Sequence, residues 1–298
     1  MTQSVRDLAF HTIQDILNDN AYSNLKINEV INQYNIATVD KALFTELVYG
    51  TIKRKMTLDF YLKPFVKTRI KGWVRQLLWM SLYQYVFLDK IPNHAIINEA
   101  VNIAKRRGGQ HNGNIVNAIL RHIFKSDLPT LETIKNEKQR MTIEYSIPRW
   151  IIEHWITHYG IETTHKIAKS FLVQSASTVR VNTSRTDVET ISKELLQEGY
   201  HVDIDQLIPY CLHLTGKPVI ESRAFKDGLI SIQDKSSMLV GYLMDVQKDD
   251  TILDACSAPG GKACHMAELL ASTGHVDATD IYKLSLIHIS EPTRLLSI

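Results

Sequence analysis

The sequence predicts an α + α/β chain: an all-helical bundle first, then a helical connection and a small α/β unit, then the opening of a doubly wound parallel sheet. Three observations carry this. Apolar residues recur at helical spacing from Val5 onward, with no convincing period-two alternation before residue 170. From Ser177 short alternating stretches flank a single helical pattern. The stretch TILDACSAPGGKACHMAELL, Thr251 to Leu270, reads as strand, glycine turn and helix.

Val5, Leu8, Ala9, Thr12, Ile13 and Ile16 fall on one face of a helix over 3–18. Further helical patterns cover 25–34, 41–62, 73–87, 92–106 and 115–124, enough for a bundle. Between the last two, Gly108 to Asn114 reads as a polar loop. Ser126 to Arg140 is charged and poor in apolar residues, which predicts a linker, and helix returns over 147–176. Trp150 and Trp155 could stack on bases, but at helical spacing they read as core. SASTVRVNT then reads as a strand, Asp187 to Glu198 as a helix, and HVDID and CLHL as further strands. Arg180 and Asn182 flank the first strand and could simply face solvent. Asp227 to Met244 reads as a turn, a short strand and a helix, with Asp234 and Ser236 placed as its cap.

The chain has 298 residues, a length that suggests roughly two domains. Hydrophobic residues make up 44%, so a core is available. No signal peptide opens the chain, and no apolar run nears the roughly 20 residues of a membrane span. Cys211, Cys256 and Cys264 show neither disulfide nor metal spacing, which suggests a reducing cytoplasm and no metal. The net charge of +2 hides an asymmetry: residues 1–125 carry 17 Lys/Arg against 9 Asp/Glu. The basic groups cluster at Lys53, Arg54 and Lys55, at Lys67, Arg69, Lys71 and Arg75, and at Lys105, Arg106 and Arg107. Solvated helix faces look the same, yet three clusters in one basic region point toward RNA. His94 with Asn98, and Asn117 with Arg121, could line a groove or fix packing.

The glycine turn lacks the G-x-G-x-x-G spacing of a dinucleotide site. Lys262 follows a glycine, but Ala263 stands where a phosphate loop needs a hydroxyl for magnesium. A nucleotide-like ligand without polyphosphate fits better. Nineteen residues beyond Gly261, a second apolar segment ends in Asp280, about where such folds place an acid on ribose hydroxyls.

DACSAPGGK together with GLISIQDKSSMLV, Gly228 to Val240, resembles the S-adenosyl-L-methionine-dependent RNA cytosine-5 methyltransferases. KALFTELVYGTIKRKMTLDFYL, IPNHAIINEAVNIAK and NIVNAILR narrow the resemblance to the bacterial 16S ribosomal RNA branch with a NusB-like N-terminal domain. The resemblance implies a NusB-like RNA-binding domain over 1–126 and a linker with a helical segment over 127–176. It implies an RRM-like α/β subdomain over 177–226, whose first strand with Arg180 and Asn182 would pack beside the Rossmann-like methyltransferase domain, of which only the start, 227–283, is present. It further implies 16S ribosomal RNA as partner, with cytosine 967 as the target of this branch, and S-adenosyl-L-methionine as cofactor. Cys256, Ser257, Ala258, Pro259, Gly260, Gly261 and Lys262 would cradle that cofactor, with Asp280 on its ribose. Lys53, Arg54, Lys55, Lys105, Arg106 and Arg107 would meet RNA. Oligomeric state is left open. The usual stacking aromatics of an RRM are not obvious on these strands.

In the resembled family one cysteine thiolate adds to carbon 6 of the base and a second helps remove the carbon 5 proton. The motifs that hold them, DAPCSG-like and TC-containing strand ends, do not occur here. No catalytic residue is therefore assigned, and each of the three cysteines reads as a small buried hydrophobe. After Lys283 the chain departs from the family pattern, and Leu284 to Arg294 resembles the in-frame translation of a sequencing-library adapter. Residues 284–298 are expected to be non-native, the alternative being a divergent tail. The polypeptide is expected to be inactive, with Ile252, Leu253 and Val276 short of packing partners. Two rivals stand beside this reading. One is a non-enzymatic RNA-binding module of the antitermination type; the other is a dinucleotide enzyme, which the missing glycine spacing disfavours.

Overall fold

In the computed structural model, residues 4–19, 23–173 and 176–281 are described, and the unusual tail over 284–298 lies outside them. The chain divides into two compact units, Met1–Val173 and Gln174–Ile298.

The first unit is helical throughout: α1 Val5–Asp19, α2 Ser23–Gln33, α3 Thr38–Lys53, α4 Lys55–Leu62, α5 Gly72–Phe87, α6 Asn93–Ile123, α7 Glu137–Tyr145 and α8 Arg149–Ser170. Its centre is α5, buried at every position from Leu77 to Gln84. A helix apolar on nearly all sides belongs in a core. Its polar members are satisfied locally: Ser81 donates to the Leu77 carbonyl, and Gln84 donates to the Met80 carbonyl while accepting from Arg6 Nε. Phe10, Ile13, Phe44 and Leu47 pack around it.

Residues 41–62 are not one helix. The backbone breaks at Arg54 (φ −109, ψ 18), so that Thr57, Leu58 and Leu62 turn inward. The Met56 N–H at the start of α4 is taken up by Ser146 Oγ at 2.8 Å, and Thr57 donates to the Ile143 carbonyl at 2.6 Å. Gly108 to Asn114 is not a loop either. Helix α6 runs through it, interrupted only at Gly109 (φ 76, ψ 178), a conformation suited to glycine. Asn112 and Gly113 are buried, and Asn112 donates to the Gly108 carbonyl. The linker is shorter than expected, because Asn136 caps α7 by accepting from the Gln139 N–H. Trp155 stacks on Phe171, whereas Trp150 is 70% exposed and is not core.

The second unit opens with β1 Ser177–Val181, α9 Val188–Gln197, β2 His201–Ile204, β3 Cys211–Thr215, the short α10 Arg223–Lys226 and β4 Ile230–Ile232. They form an antiparallel sheet in the order β2-β3-β1-β4. Strand β4 pairs with β1 through Val179↔Ile232, so the small sheet takes a strand from beyond residue 226. Ile191 and Leu195 of α9 are buried with Val179, Val181, Leu212 and Leu214 in one core. Then follow α11 Lys235–Met244, β5 Thr251–Asp254, α12 Gly261–Leu269 and β6 His275–Ala278, with β5 and β6 parallel. Ile252 is buried against Met266 and Leu270, so α12 covers that face of the strand. Leu253 points to the opposite face and is 67% exposed. The expected shortage of packing therefore falls on Leu253 and not on Ile252. Among the described residues no helix is long and apolar enough to cross a membrane.

Candidate cofactor-binding turn and basic surface

Strand β5 delivers the chain to a turn that folds on itself before α12 begins. The Cys256 N–H donates to Asp254 Oδ1 at 3.4 Å, the Ser257 N–H to the Thr279 carbonyl at 2.9 Å and the Ala258 N–H to Asp280 Oδ2 at 2.9 Å. The Gly260 N–H closes the turn onto the Ser257 carbonyl. Gly260 has φ 89, a left-handed value that brings the chain into the helix. The structure thus brings the turn and the strand-end Asp280 together, 22 residues apart in sequence. It also uses up the N–H groups of Cys256, Ser257, Ala258 and Gly260, while Pro259 has none. The donors without an acceptor among the described residues are those of the first helical turn, Gly261, Lys262 and Ala263. A Cβ at Gly261 would meet only Gln233 Nε2, at 4.0 Å, so the helix start is open. Ser257 Oγ is buried without a hydrogen-bond partner among the described residues.

Sequence reasoning missed what holds this turn from behind. Arg180 is not solvent-facing: it is 2% exposed. Its Nε and Nη2 donate to the two oxygens of Glu268 at 2.8 and 2.6 Å, while Nη1 donates to the Gln233 side chain and, at 3.2 Å, to the Gly261 carbonyl. Gln233 Nε2 reaches the same carbonyl at 3.3 Å. A strand of the small sheet is thereby tied to the first residue of α12. Asn182, also buried, accepts from the Ser184 N–H and shapes the turn after β1. Asp234 is the cap of α11, accepting from the Ser236 N–H at 2.8 Å.

The cysteines do not behave alike. Cys211 is buried, which pushes its thiol up to about 11, and burial raises that of Cys264 as well. Cys256, on the turn after β5, is exposed and so is not the buried hydrophobe expected. Cys211 lies with Asp205 and His213 in a cluster whose ligand atoms are all within 4.8 Å of one another. Lys235 Nζ stands 2.6 Å from Asp205 Oδ2 and His213 Nε2 2.9 Å from it, and the Leu207 and Ile208 N–H groups donate to Oδ1. Lys235 and His213 already engage the carboxylate of this cluster, and these contacts hold the Asp205 carboxyl well below the usual range.

The predicted RNA contacts divide. Lys53 is exposed, but the Arg54 guanidinium lies 4.1 Å over the Phe87 ring, and burial lowers its pKa. Arg106 pairs with the buried Asp7 at 3.0 Å, and Arg107 lies over the Phe10 and Trp73 rings. Lys55 and Lys105 are exposed, with the Lys105 stem lying along Gly113. Asn117 accepts from Arg121 Nε at 2.9 Å within one helix face.

A helical bundle, a small antiparallel sheet and a strand, glycine turn and helix with a strand-end acid together define a multidomain chain that carries the opening unit of a Rossmann-like fold. Residues 3–125 match the NusB family, 147–221 the ferredoxin-like domain of RsmF/B-like methyltransferases, and 241–298 the 16S rRNA methyltransferase RsmB/F family. The chain is 39% identical to the probable ribosomal RNA small subunit methyltransferase B of Bacillus subtilis over 97% of its own length and 65% of that protein. To the probable ribosomal RNA small subunit methyltransferase B of Synechocystis it is 28% identical over 93% of its length, covering 63% of that protein. The crystal structure of PH0851 shares its fold, with a TM-score of 0.76 at 23% identity, covering all of this chain and 68% of that one. The NusB, ferredoxin-like and RsmB/F methyltransferase matches thus follow one another along the chain, which spans just under two thirds of the length of the first two relatives.

Proposed function

We propose that this chain is the RNA-holding and cofactor-opening part of an S-adenosyl-L-methionine-dependent enzyme that methylates carbon 5 of a cytosine in 16S ribosomal RNA in the cytoplasm. The target cytosine is that of the family branch. The observation that carries the reading is the Ala258 to Asp280 hydrogen bond, which sets a strand-end carboxylate beside the open first turn of α12. That pairing fits the cofactor's chemistry. The N–H groups of Gly261 and Lys262 face outward from a helix start, which favours a carboxylate such as that of the methionine portion. Asp280 is an acceptor for ribose hydroxyls. The bound cofactor would supply an electrophilic methyl group. The chain's own contribution is to orient it, with Arg180 and Gln233 holding the Gly261 carbonyl from the opposite side.

The experiment is calorimetric titration of the 298-residue chain with S-adenosyl-L-methionine. Binding is expected, and Asp280→Ala is expected to weaken it roughly 10- to 100-fold, the effect of losing hydrogen bonds to a charged acceptor. RNA binding without cofactor binding would favour the antitermination-type module instead. NADH binding in its place would favour a dinucleotide enzyme.

Orientation alone does not complete the reaction. Attack on a cytosine ring requires a thiolate near the methyl group. The Cys211 and Cys264 thiols are raised by burial, and Cys256 lies in the turn that would hold the cofactor. The 298-residue polypeptide is therefore expected to transfer no methyl group from labelled cofactor to unmodified small-subunit RNA. Incorporation of label would overturn the assignment of no catalytic residue.

A further inference from the structure

We propose that the groove between α4 and α5 in the first unit is a binding site for one unstacked nucleotide of single-stranded RNA. The proposal rests on the RNA reading above and deepens it, since only Lys55 and Arg75 of this groove belong to the basic clusters that pointed toward RNA.

The groove encloses about 680 Å³. That lies within the roughly 300–1,000 Å³ typical of small-ligand sites. Lys55 and Asp59 on α4 and Lys63, the residue that follows it, line the groove at four-residue intervals, opposite Arg75 and Trp79 on α5. Asp59 Oδ1 accepts from both Arg75 Nη1, at 2.7 Å, and Trp79 Nε1, at 3.0 Å, which fixes the far wall. Lys55 Nζ stands 5.4 Å from the centre of the Trp79 ring. Three cations therefore face one carboxylate, and that carboxylate already serves Arg75. Lys55 and Lys63 are exposed, with no ion-pair partner among the described residues.

The remaining wall decides the ligand class. Phe60 and Met56 give the groove an apolar side, and Ile143 of α7 faces them. Cations beside apolar and aromatic side chains match a phosphate attached to a planar base. An uncharged lipid would leave the lysines uncompensated, and an inorganic anion would make no use of the apolar side chains. A base held in a duplex is stacked and paired, so only an unstacked one can enter. Ile143 and its neighbour Gln139 lie beyond the NusB-family match at 3–125. The site is thus completed by the helix that follows the bundle and is not a property of the bundle alone.

The test uses the full 298-residue chain and a fluorescein-labelled, mixed-sequence short RNA, single-stranded or annealed to its complement, read by anisotropy. The double variant Lys55→Gln/Lys63→Gln and the single variant Phe60→Ala are each expected to weaken single-strand binding about tenfold, the scale of one lost base contact. The control Lys41→Gln/Lys90→Gln removes equal charge from exposed positions outside the groove and outside the three basic clusters, and is expected to change binding twofold or less. The single strand is expected to bind more tightly than the duplex. Equal weakening by the two charge variants, equal affinity for duplex, or no effect of Phe60→Ala in a protein with unchanged melting would overturn the proposal. Polyglutamate bound with the same sensitivity to the groove variants would overturn it in favour of an acidic protein partner. If no RNA binds at all, the RNA reading falls with it, whereas binding that ignores the groove sinks only this site.

Discussion

Replacing Arg180 with alanine is expected to cost the second unit about 3–5 kcal/mol, the range for breaking a buried ion pair by removing one partner. The side chains of Arg180 and Glu268 are 2% and 12% exposed. Once Arg180 is gone, Glu268 keeps a largely buried charge with no counter-ion, and the Gly261 carbonyl loses one of its two side-chain donors. Urea unfolding of the whole chain reads the first effect and titration with S-adenosyl-L-methionine reads the second. The double replacement Arg180→Met with Glu268→Leu separates them. Removing both charges is expected to restore most of the stability, because the desolvation cost disappears along with the attraction. It does not restore a donor to Gly261, so cofactor affinity is expected to stay low. If affinity recovers together with stability, Arg180 serves only as a packing residue.

This network also shows where the sequence stops being readable. The strand, glycine turn and helix at Thr251 to Leu270 are local, and the residues that make them are adjacent, so the pattern is visible directly. The pairing of Arg180 with Glu268 spans 88 residues, and no periodicity encodes it. One signal was present: a glutamate amid the apolar positions of α12, seven residues after Gly261, is a candidate counter-ion for any buried arginine. Composition misled at Gly108 to Asn114. Polar residues there suggest a loop, but Gly108 packs so closely against Trp73 that an added Cβ would lie 2.7 Å from its ring, and the helix is held together from outside. Charge counting misled in another way. Arg54, Arg106 and Arg107 add to a basic total, yet each guanidinium is already engaged by a ring or a carboxylate, and only the fold reveals which cations remain.

Acidification is expected to loosen the same helix through His265. The imidazole is 1% exposed, lies 5.1 Å from the Tyr210 ring, and has neither nitrogen bonded among the described residues. A Cβ on Gly241 would come within 2.6 Å of its Cε1, so little space is left for water. Burial, with a smaller contribution from the Arg180 charge, holds its pKa down to about 3 against an ordinary 6.5. Between those values the unfolded chain binds a proton that the folded chain refuses, so stability rises with pH across the window. It is complete above about 6.5 and falls as the pH drops, at a slope approaching about 1.4 kcal/mol per pH unit. Unfolding midpoints measured at neutral pH and at steps down to about pH 5 should show this slope in the parent protein. His265→Leu should remove it, leaving only what the other histidines contribute to both proteins alike. Identical slopes would mean that His265 is hydrated in the native state. Because His265 lies on α12 between the candidate cofactor turn and Glu268, the lost stability falls on the element that presents Gly261 and Lys262. Cofactor affinity is therefore expected to decline over the same pH range in the parent protein and to level out in the variant.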